Sequence, residues 1–588
     1  MGDSGVCRIK PEFLIGEKPR ELAIECVSEK DLLKLSVPNN SLDQEVEKLS
    51  SKRSAEENEV SFNKKKRKLQ GQNKSRGPTY RIEQEKELCN SLVNNKGEDV
   101  SCTRKQCNFL HNVVDYLELK GEDLGNTCFN FDTTGKCERG LACRFGSQHI
   151  KGNINVVDEV KYTKYLEKGL QTKNILTKEL QHSLRKRNYD FSLSEELIKY
   201  NDKVTGKLDT SKKEIRTNGT VTDEDIIKIQ QREKKTINWK DKLFLSPLTT
   251  VGNLPFRRIC KEFGVDITCG EMAMCTSLLQ GAPQEWALVK RHHTEDIFGV
   301  QLCANNPHLL TKCGQLLTKE IDINFIDLNL GCPIDLIYKE GGGCGLLKRQ
   351  KVLESCVRNL AQIIDIPLTV KTRTGIYKDE KIAHKLAPSF RDWGASLMTI
   401  HGRSREQRYT KMADWNYINE VVQAAAPMPV YGNGDILSYD DYKNSLETCP
   451  GLAGVMIGRG ALIKPWIFSE IKEQKIWDIS SSERFDILKR FTNYGLEHWG
   501  SDNKGVENTR RFMLEWLSFL YRYVPVGLLE CPPQKVNDRP PSYKGRNDLE
   551  TLMASSSASD WIKLTEMLLG PIPENFHFLP KHKANSYK

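Results

Sequence analysis

From residue 243 to residue 460 the chain alternates short apolar runs with longer amphipathic stretches, and the apolar runs end in Gly or in a residue able to do chemistry. Eight such runs occur, at 243–248, 266–272, 297–303, 325–331, 368–374, 396–402, 429–435 and 454–460. They read as buried strands, and most of the gaps, 350–364 and 382–393 among them, are long enough for a helix. Eight strand-then-helix units predict an α/β fold, a parallel (β/α)8 TIM barrel over residues 236–475. From residue 476 the period becomes helical, as in 483–494 and 508–523, which predicts a C-terminal helical domain over 476–588. Ahead of the barrel, 151–235 is polar and rich in Lys and Glu, with brief amphipathic stretches at 162–170 and 192–200, and reads as a linker with some helix. Residues 1–85 mix charge, Ser and Asn with little periodicity, so this segment cannot offset its ordering entropy and is expected to be disordered.

Barrels of this kind place function at the C-terminal ends of their strands. There the chain offers Pro247, Glu271, Gln301, Asn329 with Cys332, Lys371 with Arg373, His401, Asn433 with Asp435, and Arg459. Strand side chains alternate faces, so Lys371 and Arg373 point into the barrel mouth, and Thr399 and His401 face inward while Met398 and Ile400 face the helix layer. Strands seven and eight end in Gly432-Asn433-Gly434-Asp435 and Gly458-Arg459-Gly460, where glycine exposes backbone N–H groups to a phosphate. A phosphorylated ligand beside a Lys, a Gln and a loop Cys points to flavin mononucleotide, whose reduced, anionic ring Lys371 can stabilise. A phosphosugar substrate with no cofactor is the alternative. Asn329-Leu330-Gly331-Cys332-Pro333 follows strand four, and a Gly-rich loop at 341–345 comes after it. Cys332 is the candidate proton donor opposite a hydride donor, with Cys344 second and an inert buried thiol as the ordinary alternative.

At 588 residues the chain exceeds what one hydrophobic core organises, so several folded units are expected. No apolar run approaches the length needed to span a bilayer. The N-terminus lacks an apolar signal core and places Val6 where a myristoylation motif wants Ser or Thr, so a nuclear or cytoplasmic protein is expected. The net charge of +10 gains meaning beside Lys64, Lys65, Lys66, Arg67 and Lys68, a basic run suited to nuclear import or to RNA contact. Of 18 cysteines, eight precede residue 150, and six of these fall with two histidines into the sets Cys89, Cys102, Cys107, His111 and Cys128, Cys137, Cys143, His149. In a reducing compartment three thiolates and an imidazole favour structural zinc over disulfides. The second set, with eight, five and five intervening residues, is close to a CCCH finger; the first departs further, with twelve before its second Cys. Tandem fingers are therefore expected over 86–150. Phe109, Phe129, Phe131 and Phe145, with Lys105, Arg139 and Arg144 nearby, suit single-stranded or looped RNA, or else build the fingers' small core.

In this order, Ser246-Pro247-Leu248-Thr249, Asn329-Leu330-Gly331-Cys332-Pro333, Lys371-Thr372-Arg373, His401-Gly402-Arg403 and Gly432-Asn433-Gly434-Asp435 resemble the tRNA-dihydrouridine synthase family of flavoenzymes. The tandem fingers and the stretch 548–553 resemble its eukaryotic branch, which acts on the variable-loop uridine at tRNA position 47. Leu248 stands where many members carry Met. The resemblance implies an FMN enzyme reduced by NADPH or NADH, with hydride passing from flavin N5 to uridine C6 and Cys332 protonating C5 from the opposite face. It implies Lys371 and His401 on the flavin side, Asn329 and Arg373 at the substrate, and Pro247, Leu248, Thr249, Gln301, Asn433, Gly434, Asp435, Gly458 and Arg459 completing the flavin pocket. It also implies tRNA as partner, with its uridine turned out of the stack. Lys489, Arg490, Arg510, Arg511 and Arg522 of the helical domain are then candidates to grip RNA, or form an ordinary solvated face. Uridines of mRNA are a second substrate class left open. On the residues alone, a flavin barrel acting on a free pyrimidine and a non-catalytic RNA-binding barrel also stay open.

Overall fold

A computed structural model of the chain describes residues 6–15, 79–80, 83–94, 101–169, 171–204 and 234–581. The basic run from Lys64 to Lys68 lies outside them, as does most of the segment expected to be disordered. Each of the eight apolar runs holds one strand: β1 (Lys242–Leu245), β2 (Ile267–Cys269), β3 (Ile297–Cys303), β4 (Phe325–Asn329), β5 (Leu368–Arg373), β6 (Leu397–His401), β7 (Val430–Asn433) and β8 (Gly454–Ile457). All pair in parallel in chain order, and β8 pairs back to β1, which closes the barrel. The register brings the chemistry to one rim, setting Asn329 opposite Lys371, Arg373 opposite His401, and His401 opposite Asn433.

Alternation sorts the side chains as the sequence predicts. Val370, Met398, Ile400 and Val455 face outward and join the main core beneath the helices. Inward, polarity rises with height. The bottom layer is Phe244, Phe325, Leu397 and Tyr431, closed by Trp239, with the Phe244 and Phe325 rings 5.8 Å apart at 90°. Each such ring removed from water contributes about 1.5–3 kcal/mol and leaves this end plugged. One step up, Asp327 and Thr369 bond to each other, and one step higher stand Asn329, Lys371, His401 and Asn433.

The C-terminal region forms α1 (Ser481–Trp499), started by a Ser480–Glu483 capping box, and α2 (Asn503–Leu520), capped by Asp502. Trp516 of α2 is buried on the barrel, its indole N–H donating to the Leu462 carbonyl at 2.9 Å. Two cations expected to grip RNA are spent internally. Arg510 is buried, pairs with Glu507 and donates to the carbonyls of Leu569 and Gly570 at 3.0 Å. Arg490 pairs with Glu262 of the barrel at 2.8 Å. Among the described residues no helix is long and apolar enough to cross a membrane.

Two stretches depart from expectation. The described part of 151–235, expected as a linker with some helix, is docked: helix Glu159–Glu167 starts where Asp158 N–H donates to the Gly135 carbonyl at 2.9 Å, helices Lys178–Lys186 and Ser192–Val204 pack on the barrel, and Thr172–Lys173 pairs with Arg291–His292. Asn174 donates to the carbonyls of Val289 and Asp322 at 3.0 and 3.1 Å, and a sparse apolar set, Leu176, Leu180, Leu184, Phe191 and Leu197, packs on the core. Residues 6–15, within the segment expected to be disordered, are bonded along 527–544.

Candidate active site and metal centres

At the C-terminal rim opens a cavity of about 980 Å³. Pro247, Leu248, Thr249, Gln301, Asn329, Cys332, Lys371, Arg373, His401, Asn433, Gly434, Asp435, Gly458 and Arg459 all line it. Glu271 does not; its carboxylate accepts the Thr250 backbone N–H at 2.8 Å and ties two loops together. Cys344 is fully buried outside the lining, its thiol pushed up to about 11 by burial. Of the two candidate cysteines, only Cys332 reaches the cavity.

A chain of hydrogen bonds sets the Cys332 loop. Thr369 Oγ1 and Gln301 Nε2 donate to the two oxygens of Asp327 at 2.6 and 2.8 Å. With its NH2 committed, Gln301 presents Oε1 to Asn329 Nδ2 at 2.8 Å. Asn329 Oδ1 then accepts the backbone N–H groups of Gly331 and Cys332 at 3.1 and 2.8 Å. Arg373 holds the same loop from its other side, donating to the Gly331 carbonyl at 2.9 Å and to the Ser404 carbonyl at 3.0 Å. Asn329 and Arg373, expected at the substrate, are thus also the anchors of Cys332.

Electrostatics follow from burying several cations together. Lys371 is brought down to about 8 by burial and by Arg373. His401 lies well below its usual value through burial and the charges of Arg373, Lys371, Arg403 and Arg459, so it is neutral. Arg403 Nη1 sits 3.2 Å from His401 Nε2. A guanidinium can only donate, so Nε2 is the acceptor and Nδ1 carries the proton. Burial raises the Cys332 thiol, against the opposing pull of Arg373, Lys371 and Arg405, and it keeps its proton at neutral pH. Asp435, in left-handed backbone at φ 58°, receives Arg403 at 2.5 Å and Arg459 at 2.6 Å. At Gly434, φ is 143° and a Cβ would come within 2.5 Å of Ala413 Cβ, so only glycine fits this turn.

Compared with known proteins, residues 244–519 match the family model described as dihydrouridine synthase. A Xenopus tropicalis protein named tRNA-dihydrouridine(47) synthase [NAD(P)(+)]-like is 54% identical, covering 89% of this chain and 84% of its own. A human protein of the same name is 51% identical over 89% of this chain and 85% of its own. The tRNA-dihydrouridine(47) synthase [NAD(P)(+)] of Coprinopsis cinerea is 37% identical over 99% of this chain and 98% of its own. The chain belongs to the dihydrouridine synthase family.

In this dihydrouridine synthase the two cysteine and histidine sets come together as expected. In each, all four ligand atoms lie within 4.8 Å of one another. Sulfur pairs stand 3.6, 3.7 and 3.8 Å apart, as Cys89–Cys102, Cys107–Cys89 and Cys143–Cys128. These are far beyond a disulfide bond and match the edge of a tetrahedron built on Zn–S bonds of about 2.3 Å. His149 Nδ1 bonds to Asn155 Oδ1 at 2.9 Å, while its Nε2 is buried and unpartnered. The cations and rings expected to face RNA are largely used inside the protein. Arg144 donates from its backbone to Ser501 at 2.8 Å and from its side chain to Asn503 at 2.6 Å, and Arg139 donates to the Trp499 carbonyl at 3.2 Å. Phe145 is buried, Phe129 meets Tyr494 edge-on at 6.3 Å, and Phe131 packs 5.4 Å from the His149 ring.

Sequence reasoning passed over several residues of the cavity. Arg403, read only as part of a motif, lies buried behind the lining, where it bonds to His401 and Asp435. Tyr409, 4.2 Å from the Arg459 guanidinium and 6.1 Å from the His401 ring, sits on a loop without periodicity. Lys535, Val536, Asn537, Asp538 and Arg539 form the outer wall and come from the C-terminal region, where no local pattern marks them.

Proposed function

We propose that this dihydrouridine synthase binds flavin mononucleotide in the rim cavity, takes reducing equivalents from NAD(P)H, and reduces the C5–C6 double bond of the uridine at position 47 of tRNA with Cys332 as the acid. The position is supported by the names of the relatives. The site reading is carried by one observation: Cys332, and not Cys344, stands at the wall of a cavity that gathers Lys371, Arg373, His401 and both Gly-rich turns. The residues fit the cofactor. Lys371, brought down by burial and by Arg373, is a cation wanting an anion, and the turns at Gly434 and Gly458 offer backbone donors to a phosphate. Bound there, the flavin would supply hydride chemistry.

The chain's own residues do the rest. Lys371 and neutral His401 offer donors where negative charge develops, and Arg459 is held in place through Asp435. Uridine C6 gains the hydride and C5 the proton of Cys332; the thiolate left behind is stabilised by Arg373, Lys371 and Arg405 until solvent restores its proton. The two Cys3His sets would each hold a structural zinc, His149 through its unpartnered Nε2. Arg522, Lys535 and Arg539 at the cavity wall would meet RNA phosphates.

The test is a Cys332→Ala protein. It should stay yellow and still be bleached by NADPH without oxygen, while tRNA no longer reoxidises the flavin and no dihydrouridine is found at position 47 by mass spectrometry. Full dihydrouridine formation by Cys332→Ala would remove the acid assignment. The same assay on unmodified mRNA decides that second substrate class.

A further inference from the structure

We infer that residues 6–15 are an intramolecular strap that holds the outer wall of the cavity in place, and that Cys7 and Ile9 are positioning residues for RNA capture; the inference rests on the function proposed above. Of the wall, Lys535 to Arg539, Val536 alone is buried in the main core, while Lys535 and Arg539 are exposed. The wall belongs to the stretch between α2 and helix Asp548–Ala554, whose only regular element among the described residues is the turn Val526–Leu528. Such a stretch must be placed from outside.

The strap does this at both feet of the loop. On one side Lys10 N–H donates to the Leu528 carbonyl at 2.9 Å, Glu530 N–H to the Arg8 carbonyl at 3.1 Å, and Lys10 Nζ to the Gly527 carbonyl at 2.7 Å. On the other, Cys7 N–H donates to Arg539 at 3.0 Å, Ile15 N–H to Ser542 at 3.0 Å, and Lys544 N–H to Phe13 at 2.8 Å. Lys535 to Asp538 lie between these two sets of bonds, and Arg539 is held by the second. Cys7 and Ile9, two apart on an extended segment, point the same way and are buried with Val524, Leu528, Leu529 and Tyr543 in a small core separate from the barrel's. Without the strap that core is open to water.

What the strap steadies is a set of like charges. Arg522, Lys535 and Arg539 line one side of a cavity whose substrate is a polyanion. Burial and then Arg539 press down on the charge of Arg522, whose guanidinium donates to the Val536 carbonyl at 3.3 Å, so the placing of these charges follows the placing of the wall. Held together, they offer a phosphate grip beside the entering nucleotide.

Two variants test this, one lacking residues 1–15 and one carrying Ile9→Asp in the full chain. Each should keep its flavin and its rate of flavin reduction by NADPH without tRNA. The KM for tRNA should rise roughly tenfold with little change in kcat, and log KM should depend less steeply on log salt, as expected when phosphate contacts loosen. A synthetic peptide of residues 6–15 added to the truncated enzyme should restore KM. An unchanged KM in both variants overturns the inference, as does a peptide without effect. Hydrogen exchange in the Ile9→Asp protein reads the strap without turnover, so it stands even if the proposed reaction fails. Faster exchange over 528–544 with unaltered barrel strands is expected; unaltered exchange over 528–544 overturns it.

Discussion

Cys128, Cys137, Cys143 and His149 are all buried, whereas in the set Cys89, Cys102, Cys107 and His111 only Cys89 is, and His111 is exposed. The ligands are the same; the surroundings are not. The second set shares an apolar cluster with Leu496 of α1, Val506 of α2 and Leu569, and Cys137 Sγ lies 3.4 Å from Ser501 Oγ. The first set packs with Leu88, Leu92, Val93 and Tyr116, but also with Leu141 and Ala142, which lie between Cys137 and Cys143. Short metal-bound loops have almost no core of their own. Here each borrows one from its neighbour, so the first finger leans on the second and the second on the helical domain. The second finger is a joint, and the first carries exposed Arg104 and Lys105.

The largest effect that tests this order is zinc content. Cys137→Ala should empty the second site and, by removing the support at Leu141 and Ala142, the first as well, whereas Cys102→Ala should empty only the first. A structural zinc holds its loops with about 10–16 kcal/mol of binding free energy, so each loss should show as missing metal in atomic emission. If Cys102→Ala also empties both sites, the dependence runs both ways. Next comes the rate of metal release. A coloured chelator should remove zinc in two phases of equal amplitude, the fast one absent in Cys102→Ala, because access to half-exposed thiolates needs no undocking. A single phase would mean that burial does not govern release. Smaller again is the joint itself. Arg144→Ala deletes bonds to Asn503 and to the Glu122 carbonyl, worth about 1–3 kcal/mol together. Calorimetry should then show finger and helical domain unfolding apart, and one cooperative transition would place the joint's strength elsewhere.

The same contrast explains what was legible in the chain. The barrel and its rim could be read because strand alternation and strand-end chemistry are local: Lys371 and Arg373, or Thr399 and His401, declare their common face two residues apart. Metal ligands could be read for a similar reason, since residue type and spacing are the chemistry. Arg510, Arg139 and Arg144 could not. A cation near a helix or in a loop looks alike whether it meets water, RNA or a buried carbonyl, and its actual partners, Gly570 for Arg510 or Asn503 for Arg144, lie 60 and 359 residues away. The strap is the extreme case, because two buried side chains, Cys7 and Ile9, make too short an alternation to announce a partner more than 500 residues on.

The finest test concerns how the joint's metal ligand is oriented. Asn155 Nδ2 lies 3.2 Å from Asn94 Oδ1 and 3.4 Å from the Cys137 carbonyl, and with its NH2 facing two acceptors its Oδ1 must face His149 Nδ1. That acceptor keeps the imidazole proton on Nδ1 and leaves the Nε2 lone pair for the metal. Asn155→Ala removes the acceptor without touching a ligand, so the second site should still fill but bind zinc roughly 10–100-fold more weakly by chelator competition. Asn155→Asp restores an acceptor while losing the bonds to Asn94 and Cys137, and should recover much of that affinity. Because Asn94 lies within the first finger, between Cys89 and Cys102, the two variants also separate mechanisms. If zinc release from the first site quickens in both, Asn155 works as a tie between fingers; if only the second site weakens, and Asp rescues it, Asn155 works through the His149 tautomer.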